Sequence, residues 1–321
     1  MISINNYREG TLYNRVMSKM RVLLFGKKGQ VGVEIEKQFS DFGSLIALDR
    51  CSIDFCGDLA ELKKIDETIS QVKPTCIINA AAFTSVDDAE KERELAMRIN
   101  AEAVEVMARR AKQLNALLVH YSTDYIFDGT GEHYRDEYAP PAPINAYGKS
   151  KLMGEKYILD SDCHYLIFRT SWVHSATGRN FIKTIIRLAK QNTKLSVVAD
   201  QIGSPTSAAL IGDVTRKCVE MCLADHEKGG IYNLTSLGET NWLEYARLIV
   251  SVANKLGVSM KLSPDAISGI SSADHKAAAA RPLNSRLSTA KLERNFGIKL
   301  PVWNDDVTDT VSNLLSCREQ I

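Results

Sequence analysis

The stretch RVLLFGKKGQVGVEIEKQFS (21–40) decides the fold. RVLLFG (21–26) is an apolar run bounded by glycine, the pattern of a strand buried on both faces. From about residue 30 to 41 the period changes, with Val31, Ile35 and Phe39 on one helical face. Between them GKKGQVG (26–32) sets Gly26, Gly29 and Gly32 at G-x-x-G-x-x-G spacing. In a strand–turn–helix, Gly26 permits the tight turn. Gly29 lets a ligand's phosphates approach the backbone, and Gly32 lets the helix pack closely on the sheet. The helix N-terminus adds free N–H donors and the positive end of its dipole. The spacing is one residue off G-x-G-x-x-G, yet its context is that of a loop holding a dinucleotide.

Outward from this unit the alternation continues. Strands are predicted at LIALD (45–49), TCIINAAA (75–82), LLVHYSTD (117–124) and HYLIFRTSW (164–172), with helices at 59–72, 87–114 and 147–159. Such alternation means right-handed crossovers and a parallel sheet. The fold class is therefore α/β: a Rossmann-type doubly wound parallel sheet with a smaller, interleaved α/β substrate domain. Helices are also predicted at 180–191, 208–224 and 242–256, strands at 195–200 and 231–235, and a loop at 263–283. The Rossmann domain is placed at 20–175, with the chain returning to it around 195–225. The smaller, nucleotide-sugar-binding domain takes mainly 176–194 and 226–321. Residues 1–19 lack an apolar signal region and are read as an extension outside the fold, with Met20 as the start of the domain.

Composition narrows the function classes. The chain has 321 residues, with 40 Lys+Arg against 39 Asp+Glu, a formal charge of +1. No basic block marks a nucleic-acid or anionic-membrane surface, and no apolar run approaches a membrane span of roughly 20 residues. Seven cysteines without a C-x-x-C pair suggest neither a disulfide framework nor a zinc ribbon, and reduced thiols suit the cytoplasm. The six histidines make no metal-binding spacing, and no G-x-S-x-G elbow is present.

YGKSK (147–151) places Tyr147 and Lys151 four apart, on one face of a helix. A cation near a phenol lowers its pKa, and the phenol can then protonate a carbonyl oxygen as hydride arrives. Lys151 can also hold the nicotinamide ribose. Thr123, at the carboxyl end of a strand, can bind the same substrate oxygen. The catalytic candidates are thus Tyr147, Lys151 and Thr123. Asp49, ending the second strand, suits the adenosine ribose, while Arg50, Lys27 and Lys28 suit a 2′-phosphate. NADPH is expected as the cofactor, with some tolerance of NADH. Trp172, at a strand's carboxyl end, suits contact with a nucleotide sugar. Asn180, Gln201, Arg281 and Asn284 are weaker candidates for that role.

Together GKKGQVG, Tyr147-x-x-x-Lys151 and STDYIFDG (122–129) resemble the extended short-chain dehydrogenase/reductases. INAAAFTSVDDAE (78–90), RTSWVH (169–174), DQIGSPTSA (200–208) and RPLNSRLSTAKLERNFG (281–297) are similar to the dTDP-4-dehydrorhamnose reductase family within them, over Met20 to about residue 315. The resemblance implies an enzyme of dTDP-rhamnose biosynthesis for lipopolysaccharide O-antigen. It would reduce the 4-keto group of dTDP-4-dehydro-L-rhamnose with NADPH. It implies that Gly29, Gln30 and Val31 hold the pyrophosphate side, above the turn that Gly26 permits. Asp49 would meet the ribose, and Asp58 with Leu59 the adenine. Ala81, Ala82, Phe83, Thr84 and Tyr121 would line the cofactor, with Tyr147 and Lys151 beyond. Leu59 stands where the family has Phe, and Phe83 where it often has His. Thr123, Asp124 and Trp172 fall on substrate-contact positions. Some members dimerise around Mg²⁺ and others are monomers. Glu34 matches one acidic position of that metal site, so a metal and a monomer or homodimer both stay open.

Two other readings stay open on the residues. A sugar-nucleotide dehydratase or epimerase shares the superfamily, although a dehydratase carries a second acid where Tyr125 follows Asp124. A non-catalytic NADP-binding regulatory subunit can keep the Tyr–Lys pair.

Overall fold

A computed structural model describes residues 20–275 and 277–316, so the expected extension at 1–19 lies outside the described residues. Six parallel strands form the main sheet: β1 (Arg21–Phe25), β2 (Ser44–Leu48), β3 (Cys76–Asn79), β4 (Leu117–Thr123), β5 (His164–Thr170) and β10 (Gly230–Asn233). Their spatial order is β10-β5-β4-β3-β1-β2. The order reverses at β1, with β2 on one side and β3 on the other. This switch point opens a crevice at the carboxyl ends of β1 and β3.

Strand side chains alternate between two cores, as the pleat requires. Val22 and Leu24 face one side with Ile78, Val119 and Phe168. There they pack against α1 (Gln30–Gln38), α8 (Ala208–Ala224) and α10 (Ala290–Phe296) through Ile35, Phe39, Ile211, Val214 and Phe296. Leu23, Phe25, Ile77, Leu118 and Ile167 face the other side. Their partners are α2 (Leu62–Val72), α5 (Ala103–Leu114) and α6 (Ala146–Asp160). A third core joins α7 (Phe181–Gln191), α9 (Trp242–Lys255) and α11 (Trp303–Ser316) through Ile186, Ile249 and Val311. Beside it lie three two-stranded sheets: β7 (Leu195–Val198) with β12 (Ile267–Ile270), β6 (Val173–His174) with β9 (Thr206–Ser207), and β8 (Ile202–Gly203) with β11 (Thr240–Asn241).

Several segments differ from the expectation. The strand read as 75–82 ends at Asn79, whose side-chain Oδ1 accepts the Ala81 N–H at 3.2 Å and turns the chain over the glycine loop. The single helical stretch at 87–114 is broken into α3 (Val86–Lys91), α4 (Arg93–Met97), a wide π turn (Arg98–Glu102) and α5. Asn100 in that turn bonds both backbone groups of Phe83 and the Ser150 hydroxyl. The expected loop at 263–283 contains β12, paired in parallel with β7. That pairing keeps β7 out of the main sheet. The strand near 231, assigned above to the smaller domain, is β10 at the sheet edge beside β5.

Candidate active site

At the switch point lies a cleft of about 600 Å³. Gly26 starts its floor with φ +91°, and a Cβ there would stand 2.7 Å from the Ala80 and Ala81 backbone. A Cβ on Gly32 would stand 2.0 Å from the Gly26 carbonyl, so both positions need glycine. Gly29 caps α1 with no side-chain bond, and the first turn of α1 carries no acid. Its N–H groups are thus left for an anionic ligand. Two hydroxyls on the cleft wall, Ser122 Oγ and Thr170 Oγ1, are buried and unpartnered. Those donors and the bare helix end fit a dinucleotide phosphate and ribose.

Gly26, Gly29, Gln30, Val31, Asp49, Arg50, Asp58, Leu59, Ala81, Ala82, Phe83, Thr84, Tyr121, Tyr147 and Lys151 all line this one cleft. Tyr121 contributes its ring only, because its hydroxyl is bonded to Thr215 of α8 at 2.8 Å. At the β2 end, Lys28 pairs with Asp49 at 2.9 Å and holds that carboxyl below its ordinary range. Sequence reading passed over Gly57, Asn79, Gly178 and Arg179, which also line the cleft. Gly57 has a legible signal after the fact: a Cβ there would stand 2.4 Å from the Asp49 carbonyl.

At the other end, α6 presents Tyr147 and Lys151. Asn145 caps it, accepting the Gly148 N–H at 2.7 Å, and Glu90 accepts the Ala146 N–H at 2.7 Å. The helix lies close to its neighbours because it carries glycine at the contacts. A Cβ on Gly148 would meet the Tyr125 carbonyl at 2.1 Å, and one on Gly154 the Asn100 carbonyl at 2.3 Å. Desolvation pushes the Tyr147 phenol up to about 12, and the nearby Thr123 hydroxyl offsets this in part. The expected lowering by Lys151 is not what sets it: desolvation dominates. Burial also lowers Lys151 to about 8, opposed by the charge of Glu155. Tyr147 is therefore a phenol, ready to donate, at any ordinary pH.

The three expected substrate contacts lie off the cofactor cleft. Thr123 is buried and donates to Asp124 Oδ1 at 3.0 Å. Asp124 is turned to Ser285, which donates to Oδ2 at 2.5 Å, and burial raises its carboxyl to about 6. Trp172 has φ +48° and stacks on Trp242 with ring centroids 3.8 Å apart. The weaker candidates have structural partners. Asn180 caps α7 and donates to Gln30 Oε1 at 2.9 Å. Gln201 joins Trp242 to Ser272, Arg281 pairs with Asp87, and Asn284 donates to the His133 carbonyl. Among the described residues no group of three or more His, Cys, Asp or Glu is placed to hold a metal, and no helix is long and apolar enough to cross a membrane.

Asp49 and Lys151 line one continuous cleft, as the binding of an extended ligand such as a dinucleotide requires. That defines the class, an NAD(P)-dependent oxidoreductase of the short-chain type. The chain belongs to the RmlD substrate binding domain family, which matches residues 20–316. It is 45% identical over 284 residues to the dTDP-4-dehydrorhamnose reductase of Salmonella typhimurium, covering 88% of this chain and 94% of that one. It is 41% identical over 297 residues to the Escherichia coli enzyme of the same name, covering 92% of this chain and 99% of that one. Among solved structures, the Bacillus anthracis dTDP-4-dehydrorhamnose reductase in complex with NADP superposes with a TM-score of 0.83 at 35% identity. That match covers 92% of this chain and 99% of the other.

Proposed function

We propose that this chain reduces the 4-keto group of dTDP-4-dehydro-L-rhamnose to the alcohol of dTDP-L-rhamnose, with NADPH as reductant. The observation that carries this is the placement of Tyr147. It is half-buried on the wall of the glycine-loop cleft, one helical turn from Lys151, with its phenol kept protonated by desolvation and the Thr123 hydroxyl near it. NADPH, when bound, supplies the hydride. The first turn of α1 and the 80–84 segment hold the pyrophosphate and the nicotinamide side. Lys28 and Arg50 face the 2′-phosphate, and Lys151 holds the nicotinamide ribose. Thr123 orients the ketone oxygen, and Tyr147 gives it a proton. The phenol then recovers its proton through Lys151 and solvent. The unit built on α7, α9 and α11 receives the nucleotide sugar, with Trp172 and Asp124 at its border. The protein works in the cytoplasm, as a monomer or homodimer, without need of nucleic acid or membrane.

The dehydratase reading needs a second acid beside Asp124. Tyr125 stands there instead, its ring edge-on to Tyr147 at 5.6 Å and its phenol pushed up by burial. Purified protein given NADPH and dTDP-4-dehydrorhamnose should lose 340-nm absorbance mole for mole with sugar reduced (a nicotinamide property, on the order of one per turnover). Bound NADP without turnover would instead support a regulatory subunit.

A further inference from the structure

Behind the Tyr–Lys pair lies a polar chain that the reduction itself does not call for. His120, in the middle of β4, is fully buried. Its Nε2 lies 3.1 Å from Lys151 Nζ, and its Nδ1 lies 3.2 Å from Asn79 Nδ2. Asn79 is the residue opposite it on β3, and its own Oδ1 accepts the Ala81 N–H. Among the described residues, His120 is the hydrogen-bond partner of Lys151.

We propose that His120 is a positioning residue for Lys151: Asn79 fixes which imidazole nitrogen carries the proton, and the imidazole in turn decides which side of the Lys151 nitrogen keeps its hydrogens. The reasoning is one of donors and acceptors. The Ala81 N–H orients the Asn79 amide, so its NH₂ donates to Nδ1. A neutral imidazole accepting at Nδ1 carries its hydrogen on Nε2. That hydrogen points at Lys151. The contact is satisfied when the Lys151 nitrogen offers its lone pair to His120 and turns its hydrogens to the cleft. The ammonium present below about pH 8 sets hydrogens against each other across 3.1 Å, so the arrangement favours loss of the Lys151 proton as pH rises. Relieving that contact while Lys151 stays charged needs the other tautomer and a reversed Asn79 amide, and the Ala81 N–H would then lose its acceptor.

The surroundings do not supply another balance. Glu155, one turn along α6, is the carboxylate whose charge reaches Lys151, and it is already held by Arg169 of β5 at 2.7 Å. Tyr147, one turn back, is a neutral phenol. Asn79 on β3 carries no charge. Burial and Lys151 both keep His120 neutral.

Asn79→Asp tests this. A carboxylate at 79 still accepts from Ala81, and it also accepts from Nδ1. The imidazole proton then moves to Nδ1, and Nε2 is freed to accept from a Lys151 ammonium. In the unaltered protein, kcat/KM for the keto sugar falls as pH rises past about 8, where Lys151 loses its proton. In Asn79→Asp that alkaline limb should move up by about one pH unit or more, from both the added charge and the freed acceptor. His120→Gln, whose amide can turn its oxygen to Lys151, should move it the same way. A merely structural role would lower melting temperature and turnover and leave the limb in place in both variants, which would overturn the proposal. A second readout needs neither variants nor turnover. With ¹⁵N-labelled histidine, the His120 ring at pH above the limb should show its hydrogen on Nε2. Hydrogen on Nδ1 there would also overturn it. The activity limb rests on the reductase reading and the ring spectrum does not, so failure of one is told apart from failure of the other.

Discussion

Tyr147 carries the proposed chemistry. Tyr147→Phe keeps the ring and removes the hydroxyl, so turnover should fall on the order of 10²-fold or more, the scale of general acid catalysis. NADPH binding by fluorescence titration should be nearly unchanged. Lys151 gives a second test with a worked sign. Its folded pKa is about 8 against an ordinary 10.5. Between those values the unfolded chain binds more protons, so this group's contribution to stability rises with pH across that window. Below it, the buried ammonium opposes folding. Lys151→Met should therefore abolish activity yet melt no lower than the parent at neutral pH, with the parent gaining on the variant as pH climbs from 8 to 10.5. At the adenosine end, Lys28 neutralises Asp49 and stands exposed. Lys28→Ala should raise KM for NADPH roughly fivefold relative to NADH, since exposed charge contacts contribute on the order of 1 kcal/mol. Equal changes for both cofactors would transfer the role to Arg50.

Among the elements, α6 fixes the distance between the Tyr–Lys pair and the strand ends. It is seated by glycine rather than by a large apolar face. Gly148→Ala forces a Cβ to 2.1 Å from the Tyr125 carbonyl. The helix must shift, so melting should fall by the equivalent of about 1–3 kcal/mol, the usual cost of overpacking. Turnover should fall with it, because Tyr147 moves off Thr123. Full turnover in that variant would show that the seat of α6 does not set the site. The same element shows what sequence discloses. Periodicity and spacing announced the helix and set Tyr147 and Lys151 on one face of it, because both are local properties of the chain. The π turn at Arg98–Glu102 was not legible, since its cause is non-local: Asn100 reaches back to Phe83 and across to Ser150. β12 was missed for a like reason. ISGI (267–270) is short and holds a glycine, and it is a strand only because Leu195–Val198 lies beside it. The inner polar chain of Asn79, His120 and Lys151 joins three elements, and no spacing in one segment marks it.

For the molecule as a whole, the glycine loop and the doubly wound order were readable because βαβ units repeat one pattern. The assignment of segments to the two units was less so, since β7 (LSVV) and β10 (GIYN) are both four-residue strands and only their partners show which sheet each joins. The cleft formed at the switch point spans both ends of a dinucleotide, so cofactor binding should stabilise the whole fold. NADPH at about 100 times its dissociation constant adds about 2.7 kcal/mol, which should raise the melting temperature by several degrees. Tyr147→Phe should keep that shift. The central claim is hydride transfer to the 4-keto carbon with Tyr147 protonating the oxygen, and isotope tracing tests it most directly. With NADPH deuterated at carbon 4 of the nicotinamide and dTDP-4-dehydrorhamnose as substrate, product NMR should place deuterium on carbon 4 of the hexose. Deuterium at another sugar carbon, or a product free of it, would contradict the account.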